Sequence, residues 1–332
     1  MEKRRLGKSD VFVSELAFGA WAIGGWQWGG SDTREAIRAI EASVDHGMTS
    51  IDTAPIYGFG LSEELVGKAI KGKRSGVQIL TKCGMSWSGK NGEFFFKSKD
   101  NSGNSVDIYK YSGKESVLKE CENSLRRLRT DYIDLYQVHW PDTTTPVEET
   151  MEALSILQKQ GKILAGGVSN YSRDWMNEAL KTFSVATNQV AYSMVNPDIE
   201  KEIMPFCVEQ NIGIIAYSPL QRGLLAGKIK KDHHFSEGDT RPFTIYYKEP
   251  NFSRILAMIE KLRKIADDRN ISLSQLVLNW TTRQPGMACT LTGARNEDQV
   301  VENIKAAAFR LTDEEISRIN TLLSELKIET NI

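Results

Sequence analysis

The chain has 332 residues, 40% of them hydrophobic, enough for a large core, and no linker or low-complexity tract divides it, so one α/β domain spanning 1–332 is expected. A formal net charge of −1 with interspersed signs excludes the electrostatic footprint of a nucleic-acid or anionic-membrane binder. No segment reaches the ~20 apolar residues of a membrane span, which leaves a small molecule as the expected partner.

Taken in chain order, the first element is a short hairpin, Arg4–Leu6 and Val11–Val13 around Gly7-Lys8-Ser9-Asp10, placed to plug one end of the fold. Eight short apolar runs follow as strands: Leu16–Trp21, Ser50–Thr53, Val77–Lys82, Ile133–His139, Ile163–Ser169, Thr187–Ala191, Ile212–Tyr217 and Ala288–Leu291. Amphipathic stretches such as Val117, Leu118, Cys121, Leu125 and Leu128 lie between them, spaced as one buried helix face. Eight alternations with strands buried on both faces predict a closed (β/α)8 TIM barrel, whose active site lies at the C-terminal strand ends.

Two connections are long. Gly84–Gly113, after the third strand, is polar and Lys-rich apart from Trp87 and Phe94-Phe95-Phe96; Ser218–Phe252 follows the seventh. Both are expected to shape the pocket as active-face loops. Cys83, Cys121, Cys207 and Cys289 lack paired spacing and read as buried thiols, and His46, His233 and His234 show no metal spacing. The N-terminus has no apolar leader core, so the cytoplasm is the expected location and a monomer the default state.

Ionisable side chains cluster at strand ends: Asp52 after the second, with Tyr57 five residues on, Lys82 at the third and His139 at the fourth. Singly, each has a plainer reading as a turn acid, a rim charge or a core histidine. Together they form a site.

Asp52-Thr53-Ala54-Pro55-Ile56-Tyr57-Gly58, Lys82, Gln137-Val138-His139-Trp140, Gly167-Val168-Ser169-Asn170 and Gly293-Ala294-Arg295-Asn296 with Gln299, Glu302 and Asn303 resemble the aldo-keto reductases from about Arg5 to Leu323. Trp21-Ala22-Ile23-Gly24-Gly25 and Arg222-Gly223-Leu224-Leu225-Ala226-Gly227-Lys228 are similar to its bacterial general-stress and inositol-catabolism subgroup. The resemblance implies a catalytic tetrad of Asp52, Tyr57, Lys82 and His139 reducing aldehydes and ketones. Carbonyl chemistry asks for the same residue types. Hydride addition puts negative charge on oxygen, which Tyr57 would protonate and His139 would orient by a hydrogen bond. Lys82 would lower the phenol's pKa, and Asp52 would pair with Lys82.

The resemblance also implies NADPH/NADP+ as cofactor, lying across the C-terminal face. Gly58-Phe59-Gly60-Leu61-Ser62-Glu63 is no dinucleotide loop: it lacks a third glycine, and Glu63 and Glu64 read as first-turn acids after a Ser62 cap. Ser169, Asn170 and Gln189 would instead bond the carboxamide, and Tyr217 would stack on the nicotinamide. Ser218, Leu220, Arg222, Gly223 and Lys228 would surround the pyrophosphate. Gly293, Arg295, Gln299, Glu302 and Asn303 would frame the adenosine, with Arg295 facing a 2′-phosphate. The best-known reductases of the family carry lysine where Gly293 stands and arginine where Gln299 stands, so NADH is a second candidate.

Trp21, Trp87 and Trp140 are the expected pocket walls for a small-molecule carbonyl substrate, with Trp26 and Trp28 nearby and Trp175 and Trp280 structural. No metal is expected. Two other functions compete: a non-catalytic nicotinamide-sensing module similar to the potassium-channel β-subunits, and a barrel glycosidase, which would need two carboxylates about 5 to 10 Å apart across the pocket.

Overall fold

The computed structural model describes residues 1–24, 32–235 and 239–330. An antiparallel hairpin, β1 (Lys3–Arg5) and β2 (Phe12–Ser14), comes first, each strand one residue from its expected span. The alternation then starts with β3 (Leu16–Gly19), α1 (Thr33–Asp45), β4 (Ser50–Asp52), α2 (Leu61–Ala69) and β5 (Gln78–Cys83). An excursion of β6 (Met85–Ser86), β7 (Glu93–Lys99) and β8 (Ser105–Lys110) leads into α3 (Lys114–Leu128). It resumes with β9 (Ile133–Val138), α4 (Val147–Lys159), β10 (Ile163–Ser169), α5 (Arg173–Leu180), β11 (Thr187–Ala191), α6 (Ile203–Gln210) and β12 (Gly213–Tyr217). Short 3-10 turns then precede α7 (Asn251–Asp268), α8 (Leu273–Thr282), β13 (Met287–Gly293), α9 (Glu297–Ile304) and α10 (Asp313–Ser324).

Eight parallel strands close a barrel in the order β3, β4, β5, β9, β10, β11, β12, β13, the last pairing with the first through Thr290 opposite Leu16. These are the eight expected runs, with ends moved by a residue or two. Trp21 falls in the turn beyond β3, although the ladder continues through Ala20 N–H to the Asp52 carbonyl, 2.8 Å. His139 likewise continues β9, its N–H donating to the Cys83 carbonyl at 2.9 Å. Asp52, Lys82 and His139 are therefore delivered to one rim.

The lower interior is apolar. Ala17, Leu80, Leu135, Ala165, Ile215 and Leu291 meet Leu6, Val11 and Val13 from the hairpin, so β1 and β2 plug the N-terminal mouth as expected. Each large side chain removed from water there contributes about 1.5–3 kcal/mol. Gly7 makes the approach possible: it has φ +52°, and a Cβ on it would lie 2.6 Å from the Ala186 carbonyl oxygen. Arg4 fastens the plug by donating to the carbonyls of Thr282 (2.6 Å) and Met287 (3.0 Å).

Two expectations need correction. Gly84–Gly113 is a three-stranded antiparallel sheet, ordered β6-β8-β7, rather than an irregular loop. One face of this flap packs Phe95, Phe96, Val106 and Ile108 toward the rim while the other faces water, which is why its sequence reads as polar. The cap of α2 is Gly60, not Ser62. Ser62 lies inside the helix, bonding Thr53 and the Ala20 carbonyl, and Glu63 is no solvent-facing acid: it is fully buried, accepting from Thr81 Oγ1 and Arg127 Nε, both at 2.6 Å. All four cysteines are free and buried.

Candidate active site

Lys82 has no exposed surface and Asp52 only 2%, so their charges exist at the bottom of the rim only through mutual compensation. Lys82 Nζ donates to Asp52 Oδ1 at 2.7 Å, to the Thr53 carbonyl at 2.9 Å and to Tyr57 Oη at 3.4 Å. Gln189 Nε2 donates to Asp52 Oδ2 at 2.7 Å. Each carboxylate oxygen thus has a partner, and the ammonium points at the phenol. The half-buried Tyr57 ring meets the His139 ring edge-on, centroids 5.9 Å apart, and stacks beside Trp21 at 6.2 Å. The four tetrad candidates converge.

Burial pulls the ion pair toward its neutral forms, Asp52 up and Lys82 down, each opposed by the other's charge. Burial also holds the Tyr57 phenol well above its ordinary value, and the Asp52 charge pushes the same way. Desolvation thus outweighs the lowering by Lys82 expected from the sequence. The ammonium is nearer Asp52 than Tyr57, 2.7 against 3.4 Å, and desolvation decides the direction. The His139 imidazole is driven well below its usual range by burial, with Lys82 adding to the effect, so it stands neutral.

The cofactor candidates divide into two groups. Ser169 Oγ donates to the Gln189 carbonyl (2.9 Å), Asn170 Nδ2 donates to the His139 carbonyl (3.2 Å) and to Ser169 Oγ (3.0 Å), and Tyr217 Oη donates to Asn170 Oδ1 (2.9 Å). These residues line the rim beside the tetrad as one network. Gln189 has its amide nitrogen committed to Asp52. Beyond β12, Ser218, Arg222 and Gly223 have positive φ, and Leu220 accepts from Gly223 N–H at 2.9 Å; Lys228 is exposed. Arg222 carries its guanidinium carbon 5.8 Å from the Trp21 ring and donates to Thr240 Oγ1 at 2.7 Å.

The second group surrounds α9. Asn296 caps it by accepting from Gln299 N–H at 3.0 Å, and Gln299 Oε1 accepts from Arg295 N–H at 2.9 Å. Asn303 Nδ2 reaches the Gly293 carbonyl at 3.3 Å, and Glu302 pairs with Lys305 at 3.9 Å. Gln299 is thus engaged as a cap, whereas Arg295 is exposed. Among the described residues, a side chain at Gly293 or Gly223 would meet nothing within 4 Å, so backbone is open at the end of β13 and in the loop after β12.

Trp140 meets Phe95 of the flap edge-on and Trp87 meets Phe59 the same way, with centroids 5.4 Å apart in both pairs. Both tryptophans pack in one cluster with Tyr57, and Trp21 lies on that same tyrosine; Trp26 and Trp28 lie outside the described residues. Sequence reasoning missed the Thr53 carbonyl and the pairing of Glu63 with Arg127. Only Glu63 had a signal: its helical spacing puts it on the inner side of α2. Among the described residues no cluster could hold a metal ion, and no helix is long and apolar enough to cross a membrane.

Comparisons with known proteins agree with this geometry. The model of the Aldo/keto reductase family matches residues 15–324. The chain is 38% identical to aldo-keto reductase YhdN of Bacillus subtilis (strain 168), covering 97% of this chain and 94% of the relative. It is 34% identical to the NADH-specific methylglyoxal reductase of Escherichia coli (strain K12), over 98% of this chain and all of the relative. The solved glycerol dehydrogenase of Gluconobacter oxydans superposes with a TM-score of 0.89 at 36% identity, covering 99% of this chain and 98% of that one. With the barrel, the plug and the four converging side chains, this places the chain in the aldo/keto reductase family.

Proposed function

We propose that the protein is an NADPH-dependent reductase of aldehydes and ketones in which Tyr57 is the general acid. The observation that carries the reading is the contact of Lys82 with both Asp52 and Tyr57 in a buried rim. When bound, the nicotinamide would supply the hydride. Everything else falls to the chain. Tyr57, kept protonated by burial far above neutral pH, is loaded as a donor throughout the physiological range. As negative charge grows on the substrate oxygen, the phenol proton moves to it, and the phenolate left behind faces Lys82 Nζ. Asp52 and Gln189 fix the direction of that ammonium. His139, being neutral, donates an N–H hydrogen bond to the same oxygen rather than a proton.

Ser169, Asn170 and Tyr217 would hold the nicotinamide end, the open backbone at Gly223 the pyrophosphate, and Arg295 at the start of α9 the 2′-phosphate. Gln299, occupied as a cap, adds no charge there, and Glu297 and Asp298 in the first turn oppose a phosphate. NADPH preference should therefore be modest. The aromatic wall favours carbonyls with apolar or ring substituents. The test is a fluorescence titration with NADPH and NADH followed by an aromatic aldehyde. Saturable binding with consumption of the reduced cofactor supports the reading; binding without turnover of any carbonyl would favour a sensing module, and no binding would refute both.

A further inference from the structure

The flap touches the catalytic loop at its tip as well as along its underside. Asn101 Nδ2, in the turn between β7 and β8, donates to the Gly58 carbonyl oxygen at 2.8 Å. Gly58 immediately follows Tyr57, and no feature of the tetrad requires this contact.

The turn that carries the donor is closed by hydrogen bonds. Asp100 Oδ1 accepts from the backbone N–H groups of Ser102 and Asn104, both at 2.9 Å, while Asp100 N–H donates to the Asn104 carbonyl at 2.9 Å. The acceptor's backbone is confined as well. Gly58 has φ +66°, and a Cβ there would lie 2.4 Å from the Gly24 carbonyl oxygen; a Cβ on Gly24 would lie 2.9 Å from the Tyr57 carbonyl. The Tyr57–Gly58 peptide is therefore wedged against Gly24 on one side, with the flap tip bonded to its next carbonyl. Trp87 from the flap's first arm packs on Phe59, giving a second grip one residue further along.

We propose that Asn101 is a positioning residue for the reduction: it fixes the Tyr57–Gly58 backbone so that the phenol stays in line with Lys82 and His139. This rests on the reading of Tyr57 as the acid. The 3.4 Å separation between Lys82 Nζ and Tyr57 Oη is at the limit of a hydrogen bond, so a small drift of the loop breaks it. Freed from the tip, the phenol would sample positions in which its proton is not delivered to the substrate oxygen.

The test compares wild type with Asn101→Ala and the near-isosteric Asn101→Asp, which lacks the donor at neutral pH. Two substrates are used with saturating NADPH: an aromatic aldehyde, whose alkoxide product must be protonated, and an ortho-quinone, whose product anion is delocalised and asks little of an acid. Loss of a hydrogen bond worth about 1 kcal/mol corresponds to a roughly five-fold fall. Both variants should lose about five-fold or more in kcat for the aldehyde, with KM, cofactor affinity and quinone turnover near wild type. Equal loss on both substrates would make the flap a mere support of the pocket and overturn the proposal, as would unchanged aldehyde turnover. Wild type inactive toward both compounds would instead refute the reductase reading, and the proposal with it.

Discussion

Replacing Tyr57 by Phe deletes one oxygen from the centre of the candidate site, and the structure separates its effects on stability and on rate. The hydroxyl accepts from Lys82 at 3.4 Å, a long bond, and Lys82 keeps the shorter ones to Asp52 and the Thr53 carbonyl. The ring contacts with His139 and Trp21 survive in Phe. Folding stability should therefore change by no more than about 1 kcal/mol, the net worth of one hydrogen bond. Proton donation contributes roughly 10²–10⁴ in rate, about 3 to 5 kcal/mol of transition-state free energy, so aldehyde reduction should fall by that factor. Steady-state aldehyde reduction, cofactor titration and urea unfolding on the same preparation read the three quantities. A variant that keeps a tenth or more of wild-type kcat would refute the assignment of Tyr57 as acid. Loss of cofactor binding in step with rate would show that the phenol supports the nicotinamide instead.

Lys82→Met strands the Asp52 carboxylate without its cation, and removing one partner of a buried pair costs about 3–5 kcal/mol. Asp52 in that variant has a folded pKa raised far above its unfolded one, so the deficit should shrink as pH falls from 8 to 5; a deficit constant with pH in urea melts would contradict this. Because His139 is held neutral and Tyr57 protonated, aldehyde reduction should be flat between about pH 6 and 9. A wild-type inflection near 6.5 that His139→Gln removes would show the imidazole to be an ionising group after all. Glu120, half-buried and accepting from Gly84 N–H and Ser116 Oγ, is pushed up to about 7 by burial. Its contribution is full below about pH 4.5 and is lost as pH rises through 7. Glu120→Gln should therefore gain roughly 1–3 kcal/mol over wild type at pH 8, discounted for the partial exposure, and little at pH 5. Equal melts at pH 8 would place that carboxylate in water.

The barrel was legible because strands buried on both faces read as plain apolar runs, and strand-end chemistry then fell at known places. Asp52, Lys82 and His139 needed only correct strand ends, within a residue or two. The flap was not legible: Glu93–Lys99 and Ser105–Lys110 keep one face in water, so their alternation is blurred by lysines and a bulge between Phe94 and Phe96. Glu63 is a first-turn acid as expected, but its burial was not legible, because Arg127, 64 residues away in sequence, draws it inward. The balance of burial and charge at the phenol was out of reach for a related reason. The effect of Lys82 on Tyr57 depends on how much of its charge Asp52 cancels, and only distances supply that.

The seam between β3 and β13 bears on how the protein must be made. Leu16 pairs with Thr290, and Arg4 reaches the carbonyls of Thr282 and Met287, so the barrel closes between segments more than 270 residues apart in sequence. Until β13 leaves the ribosome, β3 is an open, apolar sheet edge. The nascent chain thus carries an unpaired edge for most of its synthesis, the condition in which chains associate with one another or engage chaperones. Substitutions at this seam should accordingly show first in the yield of folded protein, before any loss of activity per molecule.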